Sequence, residues 1–100
     1  MTIKKLTRMP YAQAHVEIGD NTVLVSYTTA VCIIDPNGWL KCTGTYSQTT
    51  RKHISAFIRE YAPNLSYYDA KYCYEHSCAM NIHTRKSGKF RRFNRRNVSV

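Results

Sequence analysis

The tetrapeptide DPNG at residues 35–38 separates two apolar segments and constrains the fold more than any other feature of this sequence. Proline and glycine at these positions are typical of a type I turn followed by a left-handed glycine, a common three-residue hairpin loop. Such a loop pairs Asp35 with Trp39, and counting outward along the two strands places Cys32 opposite Cys42. The sequence therefore predicts an antiparallel hairpin with a defined register.

The two facing cysteines can form a disulfide or remain buried thiols. The sequence starts without the apolar run of a signal peptide, and no segment approaches the roughly 20 apolar residues of a membrane span. We therefore expect a cytoplasmic protein, in which cysteines are mostly reduced. Ile34 and Leu40 fall on the same strand face as Cys32 and Cys42, which favours two thiols packed in a core.

Further strands are predicted on both sides of this hairpin. Residues 14–18 and 22–27 are rich in β-branched and apolar side chains and flank a turn-forming Gly-Asp-Asn segment. The hairpin strands themselves are expected at residues 30–34 and 39–46. The first half of the chain therefore reads as an antiparallel sheet.

A helix follows the strands. Apolar side chains recur at i, i+3, i+4 and i+7 from Ile54 to Tyr61, which is the period of one helical face. Thr49 or Thr50 is expected to cap its first turn, and Pro63 is expected to end it. The pattern predicts one amphipathic helix packed on the sheet.

The next segment is predicted as a long strand. Apolar and polar residues alternate over about fifteen positions from Tyr68 to Ile82, with a bend expected near Ser77. The alternative is that the segment starts as a helical turn in which Ser66 and Asp69 form a capping box.

Two cysteines and two histidines in CYEHSCAMNIH, residues 73–83, raise the question of a zinc site. On a continuous strand His76 and Cys78 face one side, whereas the first and last residues of the segment face the other, about 33 Å apart. Four such side chains cannot converge on one ion, so we predict no metal and no cofactor. One zinc site is left open, in which the hairpin and this segment each supply two ligands: Cys32, Cys42, His76 and Cys78.

The charge balance indicates a negatively charged partner. Fifteen Lys and Arg stand against six Asp and Glu, a formal net charge of +9. Nucleic acid is the commonest partner of a small basic chain, and an acidic protein surface is the second commonest. The remaining explanations are cations that only face water or that contact a membrane surface. Nothing in the sequence indicates the oligomeric state.

The C-terminal region holds seven of the fifteen cations. Ser87-Gly88 is predicted as a two-residue turn of a basic hairpin over residues 83–98, with Ile82 opposite Phe93 and Arg85 opposite Phe90. Lysine and arginine neutralise phosphates and aromatic rings stack on bases, whereas the alternative is an edge strand charged against aggregation. The candidate binding residues here are Arg85, Lys86, Lys89, Phe90, Arg91, Arg92, Phe93, Arg95 and Arg96.

The helix start is a second candidate for binding an anion. The free N–H groups and the positive end of the helix dipole favour a phosphate beside Thr49, Thr50, Arg51 and Lys52. The alternative, which we favour, is a purely structural role in which the threonines cap the helix and the two cations face water.

The segment TVLVSYTTAVCIIDPNGWLKCTGTYSQTTRKHI, residues 22–54, resembles a family of short uncharacterised proteins encoded by tailed phages. The resemblance is carried by a Ser-Tyr-x-Thr strand and a Ser-x-Thr-Thr-x-x-His-Ile helix start, here Ser26, Tyr27, Thr29, Val31, Tyr46, Ser47, Thr49, Thr50, His53 and Ile54. It implies no catalytic residue. It implies a host-cell cytoplasmic location and raises the possibility of a protein that disables a host system.

These observations predict a single α+β domain over residues 1–100: an antiparallel sheet of about four to five strands with one helix at about 50–62, ββαββ-like. We expect a non-enzymatic phage-type protein that binds nucleic acid or a nucleoprotein, because no catalytic motif is present. The alternative is an anti-CRISPR or other anti-defence inhibitor that docks on an acidic or nucleic-acid-binding site of a host complex. A zinc-stabilised adaptor is the third hypothesis.

Overall fold

The computed structural model describes residues 1–44 and 47–89, which form one antiparallel sheet and two helices. The strands follow chain order across the sheet: β1 (Thr2–Lys4), β2 (Ala14–Ile18), β3 (Thr22–Ser26), β4 (Thr29–Ile34), β5 (Trp39–Cys42), β6 (Cys78–Asn81) and β7 (Ser87–Lys89). Helix α1 (Gln48–Tyr61) and helix α2 (Tyr67–Glu75) connect β5 to β6. The α+β class is confirmed, but the described residues form seven strands and two helices rather than four to five strands and one helix.

The β4–β5 hairpin has the predicted register. The Asp35 N–H donates to the carbonyl of Trp39 at 3.0 Å, and Cys32 lies directly opposite Cys42. The Asp35 carboxylate also accepts the N–H of Trp39 at 2.8 Å, and Gly38 has a φ of 85°. Local turn chemistry therefore sets this pairing, as the sequence indicated.

Helix α1 begins at Gln48, two residues before the predicted start at about residue 50. Its N-cap is Ser47, whose hydroxyl accepts the N–H of Thr50 at 3.4 Å, so the capping role predicted for Thr49 or Thr50 is wrong. Both threonines lie inside the helix. At the other end the Ala62 N–H donates to Ile58 at 2.8 Å, and Pro63 follows directly, which confirms the predicted end.

We expect Ser47→Ala to lower the free energy of unfolding by about 1 kcal/mol, because the first-turn N–H groups lose their side-chain acceptor. Urea denaturation followed by circular dichroism measures the change. Thr49→Ala is the matched control, since Thr49 is an exposed first-turn residue and not the cap. Equal losses in the two variants would show that the Ser47 cap contributes nothing specific.

Helix α2 replaces most of the long strand predicted for residues 68–82, and only β6 of that prediction is a strand. The capping alternative is the correct one, because the Asp69 carboxylate accepts the N–H of Ser66 at 2.7 Å. The bulge or bend predicted within that strand near Ser77 is instead the junction between α2 and β6, where Ser77 has a φ of 51°.

The turn predicted at Ser87-Gly88 is also wrong. Both residues lie in β7, where Ser87 pairs with Met80 and Gly88 pairs with Ala79. The chain turns earlier, between β6 and β7. The register that this turn implied has therefore lost its basis, and the predicted partners Phe90 and Phe93, with the rest of the basic hairpin predicted for residues 83–98, lie outside the described residues.

Asn81 explains the earlier turn. Its side-chain oxygen accepts the N–H groups of His83 at 2.9 Å and Thr84 at 3.1 Å, in the manner of an Asx turn. Its carbonyl accepts the N–H of Arg85 at 2.9 Å, and Arg85 adopts a φ of 61°.

The two helices cover one face of the sheet. Ile54, Phe57 and Ile58 of α1 are buried, which confirms the predicted apolar face, and Tyr61 packs at its edge. Helix α2 buries Ala70 and Cys73, three positions apart, in the same core. Among the described residues no helix is long and apolar enough to cross a membrane.

Candidate nucleic-acid interface

A groove of about 450 Å³ runs along the outward side of α1. Its walls come from α1, from the β1–β2 connection and from the first residue of α2. Four cations line it together with apolar and neutral polar side chains, and the lining contains no carboxylate. The lining residues of this cationic groove are Arg8, Met9, Gln48, Arg51, Lys52, Ser55, Ala56, Arg59 and Tyr67.

The amphipathic pattern of α1 places three of the four cations. Arg51, Ser55 and Arg59 follow one another at i, i+4 and i+8, so they share the face opposite the buried residues. Lys52 lies beside them, seven positions before Arg59, which corresponds to about 10.5 Å along the helix axis. The same periodicity that buries Phe57 therefore aligns these cations on the solvent side.

The β1–β2 connection supplies the fourth cation. Leu6 is completely buried, and the Thr7 N–H donates to the Glu60 carboxylate of α1 at 2.9 Å. These two contacts hold Arg8 and Met9 against α1. Within the part of the chain that the structure describes, no ion pair is formed by Arg8, Lys52 or Arg59.

The structure separates the four residues predicted at the helix start. Arg51 and Lys52 are exposed and line the groove, whereas Thr49 is exposed outside its lining. Thr50 is buried and its hydroxyl faces Ser26. Two of the four predicted residues are therefore gathered in one site, with Arg8 and Arg59, which the sequence analysis missed.

The C-terminal candidates lie elsewhere. Arg85 and Lys86 are exposed in the β6–β7 turn and do not line the groove, and Lys89 ends β7. The other predicted binding residues fall outside the described ranges 1–44 and 47–89: Phe90, Arg91, Arg92, Phe93, Arg95 and Arg96.

A buried polar network lies beneath α1. The Ser26 hydroxyl contacts the Thr50 hydroxyl at 3.0 Å and the Nδ1 atom of His53 at 2.9 Å, and all three residues are buried. Serine and histidine at this distance are also found in nucleophilic sites. Because a substrate needs access to the hydroxyl, burial favours a structural role here, which is to fasten α1 to the end of β3.

Burial lowers the pKa of His53, so the folded protein binds a proton there more weakly than the unfolded chain does. The stabilisation that this difference provides is present above the unfolded pKa of about 6.5 and is lost as the pH falls below it. We expect the free energy of unfolding to decrease from about pH 7.5 to 5.5, by at most about 1.4 kcal/mol per pH unit from this group.

The measurement is urea denaturation at both pH values for the wild type, His53→Gln and His83→Gln. His83 is exposed, so its variant should retain the acid-dependent loss, whereas the His53 variant should lose most of it. The same pH dependence in both variants would contradict the assignment to His53.

The four cysteines are free thiols that lie together between α2 and the sheet. A hydrogen bond with Cys32 lowers the pKa of Cys42 to about 7 and raises that of Cys32. Burial raises the pKa of Cys73 to about 12, and its thiol also hydrogen-bonds Cys78. Cys32 and Cys42 pack side by side without a disulfide, as the sequence favoured, but the position of Cys73 beside them was not predicted.

These thiols do not assemble the split zinc site considered from the sequence. Within the described residues no three His, Cys, Asp or Glu side chains are placed to share one metal ion. His76 instead contacts α2: its Nδ1 lies 3.0 Å from the carbonyl of Tyr72, and its ring stacks on that of Tyr72 with centroids 3.9 Å apart.

Comparison with known families identifies a family for most of the chain. The model of a family of unknown function, DUF8033, matches residues 2–72. No curated protein and no solved structure matches the chain. The matched segment contains every residue that lines the cationic groove, whereas β6 and β7 lie beyond it.

Proposed function

The chain belongs to the DUF8033 family, and we propose that it binds nucleic acid or a nucleoprotein through the cationic groove without catalysing a reaction. One observation carries the proposal. Arg8 comes from a loop more than forty residues away in sequence from Arg51, Lys52 and Arg59, yet all four line one groove that contains no acid.

A polyanion is the partner that this arrangement fits. Four like charges around one concave surface repel one another, and phosphates relieve that repulsion while releasing their own counterions. If all four cations contact phosphates, the logarithm of the binding constant should fall with the logarithm of salt concentration with a slope of about −2.8 for a single strand or −3.6 for a duplex.

The basic C-terminal segment adds to this proposal. Beyond the last described residue the sequence contains four arginines, as many cations as line the groove: Arg91, Arg92, Arg95 and Arg96. A truncation after Lys89 compared with the full chain separates the contribution of this segment from that of the groove.

The second candidate function is an anti-defence inhibitor. The same groove fits an acidic protein surface, and the resemblance of residues 22–54 to tailed-phage proteins favours a host target such as a CRISPR complex. Such an inhibitor would bind one protein tightly and free nucleic acid weakly or not at all.

Fluorescence anisotropy with labelled DNA and RNA between about 50 and 200 mM salt tests the proposal. We expect binding that weakens steeply over this range, with a slope near the values given above. Absence of binding at the lowest salt concentration would overturn nucleic-acid binding, and specific copurification of one host complex would then support the inhibitor.

A further inference from the structure

We infer that the cationic groove takes single-stranded nucleic acid, with tyrosines at the start of α2 stacking on its unpaired bases. The inference rests on the proposed function and names the class of nucleic acid. It follows from where the structure places the aromatic side chains relative to the groove cations.

Two adjacent tyrosines connect the groove to an exposed ring. Tyr67 is half-buried and lines the groove, while Tyr68 is 77% exposed. Their rings meet nearly edge to face, with centroids 5.9 Å apart and an interplanar angle of 69°. Tyr67 therefore connects the groove lining to a ring that is largely exposed to solvent and is the next residue along the chain.

Helix α2 carries a second exposed ring on the same side. Tyr72 follows Tyr68 by one helical turn, is 42% exposed and stacks on His76. The rise between these positions is about 6 Å, nearly twice the 3.4 Å per nucleotide of a duplex strand. The two rings therefore suit bases that are splayed apart rather than stacked on one another.

The aromatic rings distinguish single strands from duplexes. Base faces are hidden inside a duplex, so a duplex can use only the cations of the groove. A single strand can use the same cations for its phosphates and the tyrosines for its bases, because every base has a flat face. Phosphate contacts alone would give no preference for the single strand.

The test measures binding of the full chain to labelled probes of about 15 nucleotides, as single-stranded DNA, single-stranded RNA and duplex DNA. We expect tighter binding of single strands than of the duplex. Tyr68→Ala should weaken single-strand binding by about 5-fold to 150-fold, the range for one aromatic–base stack, and change duplex binding less than about 2-fold.

Two variants serve as controls. Tyr68→Phe keeps the ring and should bind as the wild type does. Tyr74→Ala removes a tyrosine of comparable exposure to Tyr72 that lies six positions after Tyr68 and therefore on a different side of α2, and it should also bind as the wild type does. Thermal unfolding of each variant verifies that the fold is retained. The difference in affinity between single-stranded DNA and single-stranded RNA shows whether the sugar contributes to binding.

The outcomes separate this inference from the proposed function. Equal affinity for duplex and single strand, or a Tyr68→Ala variant that loses nothing or loses both equally, overturns the single-strand inference and leaves the groove as a nucleic-acid site. No binding of any probe at about 50 mM salt overturns both. Equally tight binding of polyglutamate overturns both in favour of an acidic protein partner.

Discussion

Phe57→Ala is expected to lower the free energy of unfolding by about 3–5 kcal/mol, the cost of removing a fully buried phenylalanine. Phe57 is completely buried in the middle of α1, and its ring centroid lies 5.1 Å from that of Tyr61. The core cluster that contains Phe57 joins α1 to the sheet and to α2, so the cavity opens inside this shared core. A domain of this size has only about 5–15 kcal/mol of stability in total.

Urea and thermal denaturation measure this loss, and the midpoint temperature should fall by at least about 12 °C. Phe57→Leu fills most of the volume and should cost clearly less. Ser55→Ala, on the groove side of the same helix, is the matched surface control and should stay within about 0.5 kcal/mol of the wild type. If Phe57→Ala costs no more than Ser55→Ala, the apolar face of α1 has been assigned incorrectly.

Features controlled by local chemistry were predictable from the sequence. The register of β4 and β5 follows from the loop at residues 35–38, in which Asp35 accepts two backbone N–H groups, from Asn37 at 3.0 Å and Trp39 at 2.8 Å. The apolar face of α1 follows from helical periodicity. In both cases the deciding contacts lie within a few residues of one another.

Helix α2 was harder to predict because its sequence satisfies two periods. Alternating tyrosines from Tyr68 onward fit a strand, while Ala70 and Cys73 fit a helical face that packs on the sheet. Two factors favour the helix. The Asp69 carboxylate accepts the N–H of Ser66, and the core on which Ala70 and Cys73 pack becomes available once α1 is in place. The second of these cannot be read from the segment itself.

The groove could not be predicted for a related reason. Charge density along the sequence points to residues 85–96, whereas the groove combines sparse cations from α1 with Arg8 of a distant loop. The buried contact of Ser26 with His53 likewise joins positions 27 residues apart. It brings together a serine of β3 and a histidine of α1 that no spacing rule connects.

Reversing two groove charges, as Lys52→Glu/Arg59→Glu, is expected to weaken nucleic-acid binding by at least about 30-fold at about 0.1 M salt. Each phosphate contact contributes about 0.7–0.9 to the salt slope, so two contacts account for roughly 1.4–1.8 logarithmic units between 1 M and 0.1 M. The introduced carboxylates add repulsion. The salt slope of the variant should therefore be shallower by about 1.4–1.8, which anisotropy titrations at several salt concentrations will show.

The matched control is Lys4→Glu/Lys5→Glu, which changes the net charge by the same amount at two exposed lysines outside both the groove lining and α2. Long-range electrostatics affects both variants, whereas direct phosphate contact affects only the groove variant. If the control weakens binding and flattens the salt dependence as much as the groove variant does, binding responds to net charge alone. The convergence of Arg8, Lys52 and Arg59 would then have no role in recognition.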